Sequence, residues 1–124
     1  MKLIIGGAYQ GKREFAKAAF GVAEREIFTC RGEQIDFSAK CIDKIEEFTF
    51  SCANAGIDPV ECFRREKEKW QDSILICQDL SCGVVPVDPV LRQWRQDTGR
   101  PCQYLSQEAE QVSRIFCGLE QRLK

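Results

Sequence analysis

Hydrophobic positions in the first third of the chain form two short runs separated by a segment with helical spacing. Residues 3–5 are a continuous apolar run that ends at Gly6 and Gly7, which predicts a strand and a glycine turn. From Lys12 the apolar positions recur every three or four residues, which predicts a helix carrying Phe15, Ala18, Ala19 and Val22. Residues 27–30 are rich in β-branched and aromatic residues, which predicts a second strand.

The middle of the chain predicts two helices. Beginning at Asp36, the apolar positions step by three or four residues to Gly56, which suits a C-terminal cap. These positions are Cys41, Ile42, Ile45, Phe48 and Cys52. A second helix is expected to begin at Asp58, because an aspartate suits the N-cap, Pro59 suits the first helical position and Glu61 suits a capping box.

The second half of the chain continues the alternation of strands and helices. Residues 74–77 are continuously apolar, as in a parallel strand buried on both faces. Asp88 and Pro89 begin a helix that Gly99 is expected to end. A helix after Gln103 and an alternating strand over residues 112–117, at the margin of the sheet, follow. The pattern predicts an α/β fold with a mainly parallel sheet, and residues 1–124 form a single domain.

Composition changes the picture mainly by exclusion. The 124 residues are 44% hydrophobic and 30% charged, which suits a folded core. The net charge of −1 lacks the basic excess of a nucleic-acid-binding protein, although a small anionic ligand remains compatible with it. The chain has no histidine, which excludes Ser-His-Asp triads, Cys-His pairs and histidine-ligated zinc.

Eight cysteines are spread along the chain without a Cys-x-x-Cys pair, so we identify no metal-ligating residues. The first residues run into glycines without the longer apolar stretch of a signal peptide. We therefore expect reduced cysteines in the core and a cytoplasmic location. No stretch approaches the ~18 apolar residues of a membrane span, so no membrane partner is expected.

Residues 6–12 fit the phosphate-loop (Walker A) pattern G-x-x-x-x-G-K, between a predicted strand and a predicted helix. In such a loop, backbone N–H groups and the helix N-terminus bind phosphate oxygens and the lysine reaches the terminal phosphates. The candidate nucleotide-binding residues are Gly6, Gly7, Ala8, Tyr9, Gln10, Gly11, Lys12 and Arg13. The expected fold is a P-loop NTPase-like (RecA-like) three-layer sandwich. The alternative is a tight turn that needs glycine and binds nothing.

Arg13 departs from the pattern, because the residue after the lysine is normally a Ser or Thr whose hydroxyl ligates Mg²⁺. A guanidinium has no lone pair to offer a metal, so the usual direct ligand is missing. Binding of Mg²⁺ with the nucleotide stays open without it. Two interpretations stay open: Arg13 holds a phosphate directly, or it lies on the helix surface. For Tyr9 three interpretations stay open: it stacks on a base, it is buried in a subunit contact, or it has no role in a degenerate loop.

The loop and two later motifs resemble the bifunctional adenosylcobinamide kinase and adenosylcobinamide-phosphate guanylyltransferase family of cobalamin biosynthesis. That family carries Gly-Gly-x-x-Ser-Gly-Lys-Ser near its start, Asn-Glu-Val-Gly-x-Gly-x-Val-Pro after a later strand, and an arginine-rich helix ending Gly-Arg-x-Asn-Gln. Here the matching stretches are residues 6–13, residues 78–86, and Arg92, Trp94, Arg95, Gly99, Arg100 and Gln103.

This resemblance implies a GTP- or ATP-dependent kinase that phosphorylates a corrinoid hydroxyl of adenosylcobinamide and assembles as a homo-oligomer, a trimer. It places Lys12 and Asp79 in catalysis and Arg92, Arg95 and Arg100 at phosphate or substrate groups. From the residues alone, an aspartate after a strand is more often a cap, and exposed arginines on a helix usually pair with surface acids.

The departures from the family are as informative as the matches. Arg13 replaces Ser, Asp79 replaces Glu, Cys102 replaces Asn, and the middle of the chain is shorter. The family's guanylyltransferase step uses a histidine that this chain lacks, so that step is expected to be lost. Three hypotheses follow: a cobinamide-type kinase, a non-catalytic nucleotide-binding protein, and an assembly subunit with an empty loop. Arg13 and the missing histidine favour the second over the first.

Overall fold

The computed structural model describes residues 1–79 and 88–124, apart from the side chain of residue 97, and its strands form one sheet. The strands are β1 (Lys2–Gly6), β2 (Ile27–Thr29), β3 (Cys41–Asp43), β4 (Ile74–Gln78), β5 (Gln111–Phe116) and β6 (Leu119–Arg122). They lie in the order β2-β3-β4-β1-β5-β6. The first five are parallel and β6 is antiparallel to β5. The predicted α/β fold with a mainly parallel sheet is confirmed.

Helices cover both faces of this sheet. They are α1 (Lys12–Phe20), α2 (Ile45–Ala55), α3 (Pro59–Arg65), α4 (Lys67–Trp70) and α5 (Pro89–Glu108). On one face, α1 contributes Ala16 to a small apolar cluster with Ile4, Cys41, Ile76 and Ile115. The larger cluster on the other face includes Phe48, Phe63, Trp70, Leu75 and Leu105, which come from β4 and the other helices. Burial on both faces is the physical reason that β1 and β4 are continuous apolar runs.

Aromatic rings fill much of the larger cluster. The Phe63 ring meets Phe37 and Phe48 edge-on, with centroids 5.3 and 5.7 Å away. Trp70 packs at 5.9 Å from the same ring, and its indole N–H donates to the Phe63 carbonyl over 2.7 Å. Phe63 is fully buried, whereas three other aromatic side chains, Phe15, Phe28 and Trp94, are half-buried.

The helix predicted from Asp36 is wrong over its first part. Cys41 and Ile42 lie in β3, a strand paired with both β2 and β4, and α2 begins only at Ile45. Because helices cover both faces of the sheet, β3 buries consecutive residues, and its pattern merges with the helical spacing of α2. The predicted cap at Gly56 is confirmed, in a left-handed conformation with φ of 71°.

The predicted stop at Gly99 is also wrong, since α5 runs through Gly99 and Pro101 to Glu108. The side chains of Thr98, Pro101 and Leu105 are buried. Their spacing of three and four residues places them on one helix face, so packing holds the helix together across two residues of poor helix propensity. Both predicted N-caps are confirmed: Asp58 accepts from the Val60 N–H over 3.0 Å, and Asp88 from the Val90 N–H over 2.8 Å.

Two further expectations need correction. The strand predicted at the sheet margin is β5, which is flanked by β1 on one side and by the unforeseen β6 on the other. Glu61 was expected in a capping box, but its carboxylate accepts from Arg64 one turn later. This ion pair is exposed on the helix surface.

The seven cysteines within the described ranges are all free thiols, as predicted. Burial raises the pKa of Cys30, Cys41 and Cys52 to about 12, so these thiols are packing residues that stay protonated. In the part of the chain that the structure describes, no helix combines the length and apolar character needed to cross a bilayer.

Two glycines with equally open surroundings are expected to respond oppositely to alanine. A Cβ at Gly99 or at Gly56 meets nothing within 4 Å, but only Gly56 has a left-handed backbone. Gly99→Ala should stabilise the protein by about 0.5–1 kcal/mol through helix propensity. Gly56→Ala should destabilise it by about 1–2 kcal/mol through left-handed strain. Urea unfolding measures both, and a destabilising Gly99→Ala would contradict the continuous helix.

Candidate functional site

The glycine loop, residues 7–11, joins β1 to α1 at the carboxyl edge of the parallel strands. Gly6, at the end of β1, lies against the neighbouring strand, and a Cβ there would stand 2.6 Å from the Ile115 carbonyl oxygen. Gly11 begins α1 from a left-handed conformation with φ of 90°. These two glycines are therefore required by the fold itself, whatever the loop binds.

The turn between β5 and β6 fixes the loop from outside. Gln10 accepts from the Cys117 N–H through its side-chain oxygen over 2.6 Å, and from the Gly118 N–H through its carbonyl over 2.9 Å. Tyr9 stands at the tip in a left-handed conformation, with its side chain fully exposed. The loop is thus anchored at Gln10 and presents an aromatic ring to solvent.

Lys12 is the first residue of α1, and its side chain folds back across the loop. Its ammonium group donates to the Gly7 carbonyl over 2.6 Å. The amine therefore lies over the segment whose backbone would cradle a phosphate, beside the N-terminus of a helix. The contact expected from the sequence pattern, between Lys12 and terminal phosphates, stays a prediction.

Arg13 extends toward the ends of β2 and β3 and is enclosed by polar partners. Its guanidinium donates to the Asp43 carboxylate over 2.9 Å and to the Thr29 hydroxyl over 3.2 Å, and it pairs with Glu24. The hydrogen bond with Glu24, followed by the one with Asp43, raises the pKa of Arg13 although burial opposes it. Arg13 therefore ties α1 to the ends of β2 and β3 and does not lie free on the helix surface. Its direct hold on a phosphate stays a prediction.

Two buried acids complete the site, and neither was singled out from the sequence. Asp43 ends β3, and its second oxygen accepts from the Lys44 N–H over 2.7 Å. Glu46 lies in the first turn of α2 and accepts from the Gln78 N–H over 2.9 Å. Burial raises the pKa of Glu46, although its hydrogen bond with Gln78 works in the opposite direction.

Helix α5 holds the Glu46 segment in place. The Trp94 indole N–H donates to the Glu46 carbonyl over 2.9 Å, and its ring packs edge-on against Phe50 at 5.2 Å.

The sequence does not identify Asp43 as a site residue because its pattern predicts a helix where the structure has β3. Glu46 is not identified because the helical spacing of apolar residues does not single out a buried carboxylate. The available signal is that an acid falls on the face of α2 that the apolar residues mark as buried.

These groups surround one cavity of about 380 Å³. Its lining comes from the loop, the first turn of α1, the end of β3, the start of α2 and the end of β4. The residues are 8–14, Asp43, Lys44, Glu46, Glu47 and Gln78. The cavity therefore lies where ligands bind in open α/β sheets, outside the carboxyl ends of the strands.

The predicted catalytic acid and the predicted substrate-binding arginines are not among the described residues that line this cavity. Asp79 follows β4, and its N–H donates to the Gly6 carbonyl over 2.7 Å, which places it beside the loop. Arg92, Arg95 and Arg100 lie on α5 and are not among the described residues that line the cavity. Arg100 pairs with Asp58 at 3.6 Å. The family-like residues 80–86 lie outside the described residues.

Comparison with known proteins does not assign the chain to a group: the sequence matches no protein-family model and no curated protein. The resemblance to the adenosylcobinamide kinase family therefore stays a prediction from the motifs. The site has to be interpreted from its own geometry.

The raised pKa of Glu46 predicts a pH-dependent stability difference for Glu46→Gln. A carboxyl whose pKa is raised by folding contributes stability at low pH, and that contribution is lost as the pH rises through the folded-state pKa. The free energy of unfolding of Glu46→Gln, relative to that of the wild type, should therefore increase as the pH rises from about 4.3 to neutrality. The lower limit is the ordinary pKa of glutamate. Urea unfolding across this range measures the difference.

The matched control for this experiment is Glu47→Gln, which changes the adjacent, exposed acid on the same helix. Its stability difference from the wild type should change much less over the same pH range. A Glu46→Gln difference that stays constant with pH would contradict a desolvated carboxylate at this position.

Proposed function

We propose that this protein binds a nucleoside polyphosphate, GTP or ATP, at the glycine loop. The single observation that carries the proposal is the position of Lys12, whose amine donates to Gly7 across the loop at the N-terminus of α1. The loop leaves β1 at the carboxyl edge of a parallel sheet, next to the cavity. A polyphosphate would bind there through backbone N–H groups, the helix N-terminus and the Lys12 ammonium.

The neighbouring parts of the site suit the same ligand. Lys12 is only partly buried, so its ammonium can exchange the Gly7 carbonyl for a phosphate oxygen. Gln10 is tied to the β5–β6 turn, so the loop is held in position before a ligand arrives. Such preorganisation reduces the entropy lost on binding. The exposed ring of Tyr9 is available to stack on a base or to contact another subunit.

Phosphoryl transfer to a corrinoid hydroxyl is the second candidate function. The observation that favours it is the hydrogen bond from the Asp79 N–H to the Gly6 carbonyl, which sets the Asp79 backbone beside the end of β1, where the loop begins. In this function Lys12 would hold the transferring phosphate and Asp79 would orient the hydroxyl. The corrinoid substrate and a trimeric assembly rest on the motif resemblance alone. Guanylyl transfer is not proposed, because the chain lacks the histidine that the family uses.

Nucleotide binding without turnover is the function we favour. Arg13 is engaged by Asp43 and Glu24, so the position that normally supplies a metal ligand has a structural task. The third hypothesis, an assembly subunit with an empty loop, predicts no nucleotide affinity at all.

Calorimetric titration of GTP and ATP tests the proposal. The wild type should bind at least one nucleotide, and Lys12→Ala should raise its Kd by about tenfold or more, or ~1.4 kcal/mol, because it removes a charge-assisted contact to phosphate. Lys17→Ala is the matched control: it removes the same charge from the same helix, at a residue that pairs with Glu24. Its Kd should stay close to that of the wild type.

The opposite results are equally specific. If neither nucleotide binds the folded wild type, both the binding and the kinase functions fail and the assembly hypothesis remains. If Lys12→Ala binds as tightly as the wild type, the ligand lies outside the loop. Phosphorylation of adenosylcobinamide by the wild type would establish the second candidate instead of the first.

A further inference from the structure

The residue after the loop lysine is where a P-loop protein ordinarily offers a hydroxyl to Mg²⁺, with an aspartate from a strand end as the second holder of the metal. Here that residue is Arg13, whose guanidinium has five donors and no acceptor lone pair. It cannot ligate a cation. Whether this site accepts Mg²⁺ therefore depends on the acids around it.

Asp43 is the strand-end acid that lines the cavity, whereas Asp79, which follows β4, is not among the described lining residues. The Asp43 carboxylate is already engaged on both oxygens. One oxygen accepts from Arg13 over 2.9 Å and the other from the Lys44 N–H over 2.7 Å. The position that offers a hydroxyl to Mg²⁺ in other P-loop proteins thus carries a guanidinium, and the acid beside it has both oxygens bonded. This pair of residues does not fit the usual ligand pair of Mg²⁺.

The guanidinium is a fixed positive charge. Thr29 accepts from it over 3.2 Å at the end of β2, and Glu24 pairs with it from the other side. The Asp43 side chain is 9% exposed and the Arg13 side chain 28% exposed, and both residues line the cavity. A buried acid thus positions a partly open cation beside the phosphate loop.

We propose that Arg13, held by Asp43, replaces Mg²⁺ as the fixed cation of this nucleotide site, so that the protein binds its nucleotide without a divalent metal ion. This inference rests on the proposed function. The inference also specifies the form of the ligand, which is the metal-free polyphosphate. It also makes Asp43 a positioning residue that acts through Arg13.

The arrangement has a consequence for the chemistry of the site. In kinases the metal bridges the β- and γ-phosphate oxygens and neutralises the charge that develops there. A guanidinium supplies charge and hydrogen bonds but no coordination bond. The site therefore suits retention of a polyphosphate more than transfer of its terminal group.

The experiment compares the Kd of ATP and GTP for the wild type in EDTA and in excess Mg²⁺, by calorimetry. Metal-free binding should be at least as tight as binding with Mg²⁺, because the ion and Arg13 would compete for the same phosphate oxygens and repel each other. A wild-type Kd that falls more than about threefold on adding Mg²⁺, ~0.6 kcal/mol, would overturn the inference.

Arg13→Ser tests the residue itself, because it removes the cation, restores a hydroxyl and releases one oxygen of Asp43. We expect its metal-free Kd to rise about tenfold or more, and Mg²⁺ to recover much of the loss. Arg25→Ser is the matched control, an exposed arginine outside the cavity lining, and it should bind as the wild type does. Circular dichroism and thermal melting confirm folding. If Arg13→Ser does not fold, the wild-type Kd in EDTA and in excess Mg²⁺ still tests whether binding needs the metal ion.

Failure of the inference and failure of the proposed function give different results. If nucleotide binding requires Mg²⁺, the nucleotide-binding function stands and the proposal that Arg13 replaces Mg²⁺ is rejected. The absence of binding in both EDTA and Mg²⁺ rejects the nucleotide function itself. Metal-free binding that Arg13→Ser leaves unchanged, in a folded variant, shows that another group balances the phosphates and also overturns the inference.

Discussion

Parallel hydrogen bonding on both sides of β1 is the constraint on which the rest of the site depends. β1 pairs with β4 on one side and β5 on the other, and its apolar side chains enter the clusters on opposite faces. Its carboxyl end therefore emerges within the sheet instead of at an edge. The glycine loop must start there, between the ends of β4 and β5, and Gly6 has to be glycine because β5 passes so close.

The ion pair between Arg13 and Asp43 connects the start of α1 to the end of β3 at the cavity. β3 lies beyond β4 in the sheet, so its end reaches the cavity from the side opposite the β5–β6 turn. Arg13 crosses from the first turn of α1 to that end, while Gln10 is bound to the turn. The loop is thereby fixed from both directions. Isolated surface ion pairs contribute little, but this pair includes a buried carboxylate with two donors and is set by the fold.

The sequence predicted the features that have strong local signals. The apolar runs of β1 and β4, the glycine loop, the start of α1 and the capped starts of α3 and α5 all depend on neighbouring residues in the chain. Prediction was wrong where long-range packing decides. β3 is a strand because β2 and β4 pair with it, and α5 passes Gly99 because its buried face continues beyond that residue.

By itself, then, the sequence determined the α/β class, the position of the loop between β1 and α1, and the candidate role of Lys12, because each follows from residue spacing within one turn or strand. Only the tertiary structure decided what surrounds that lysine. Asp43 and Glu46 are distant from the loop in the chain and reach it through the order of strands in the sheet. The partners of Arg13 come from β2, β3 and the turn after α1, and no local pattern can specify contacts set by packing among separate elements.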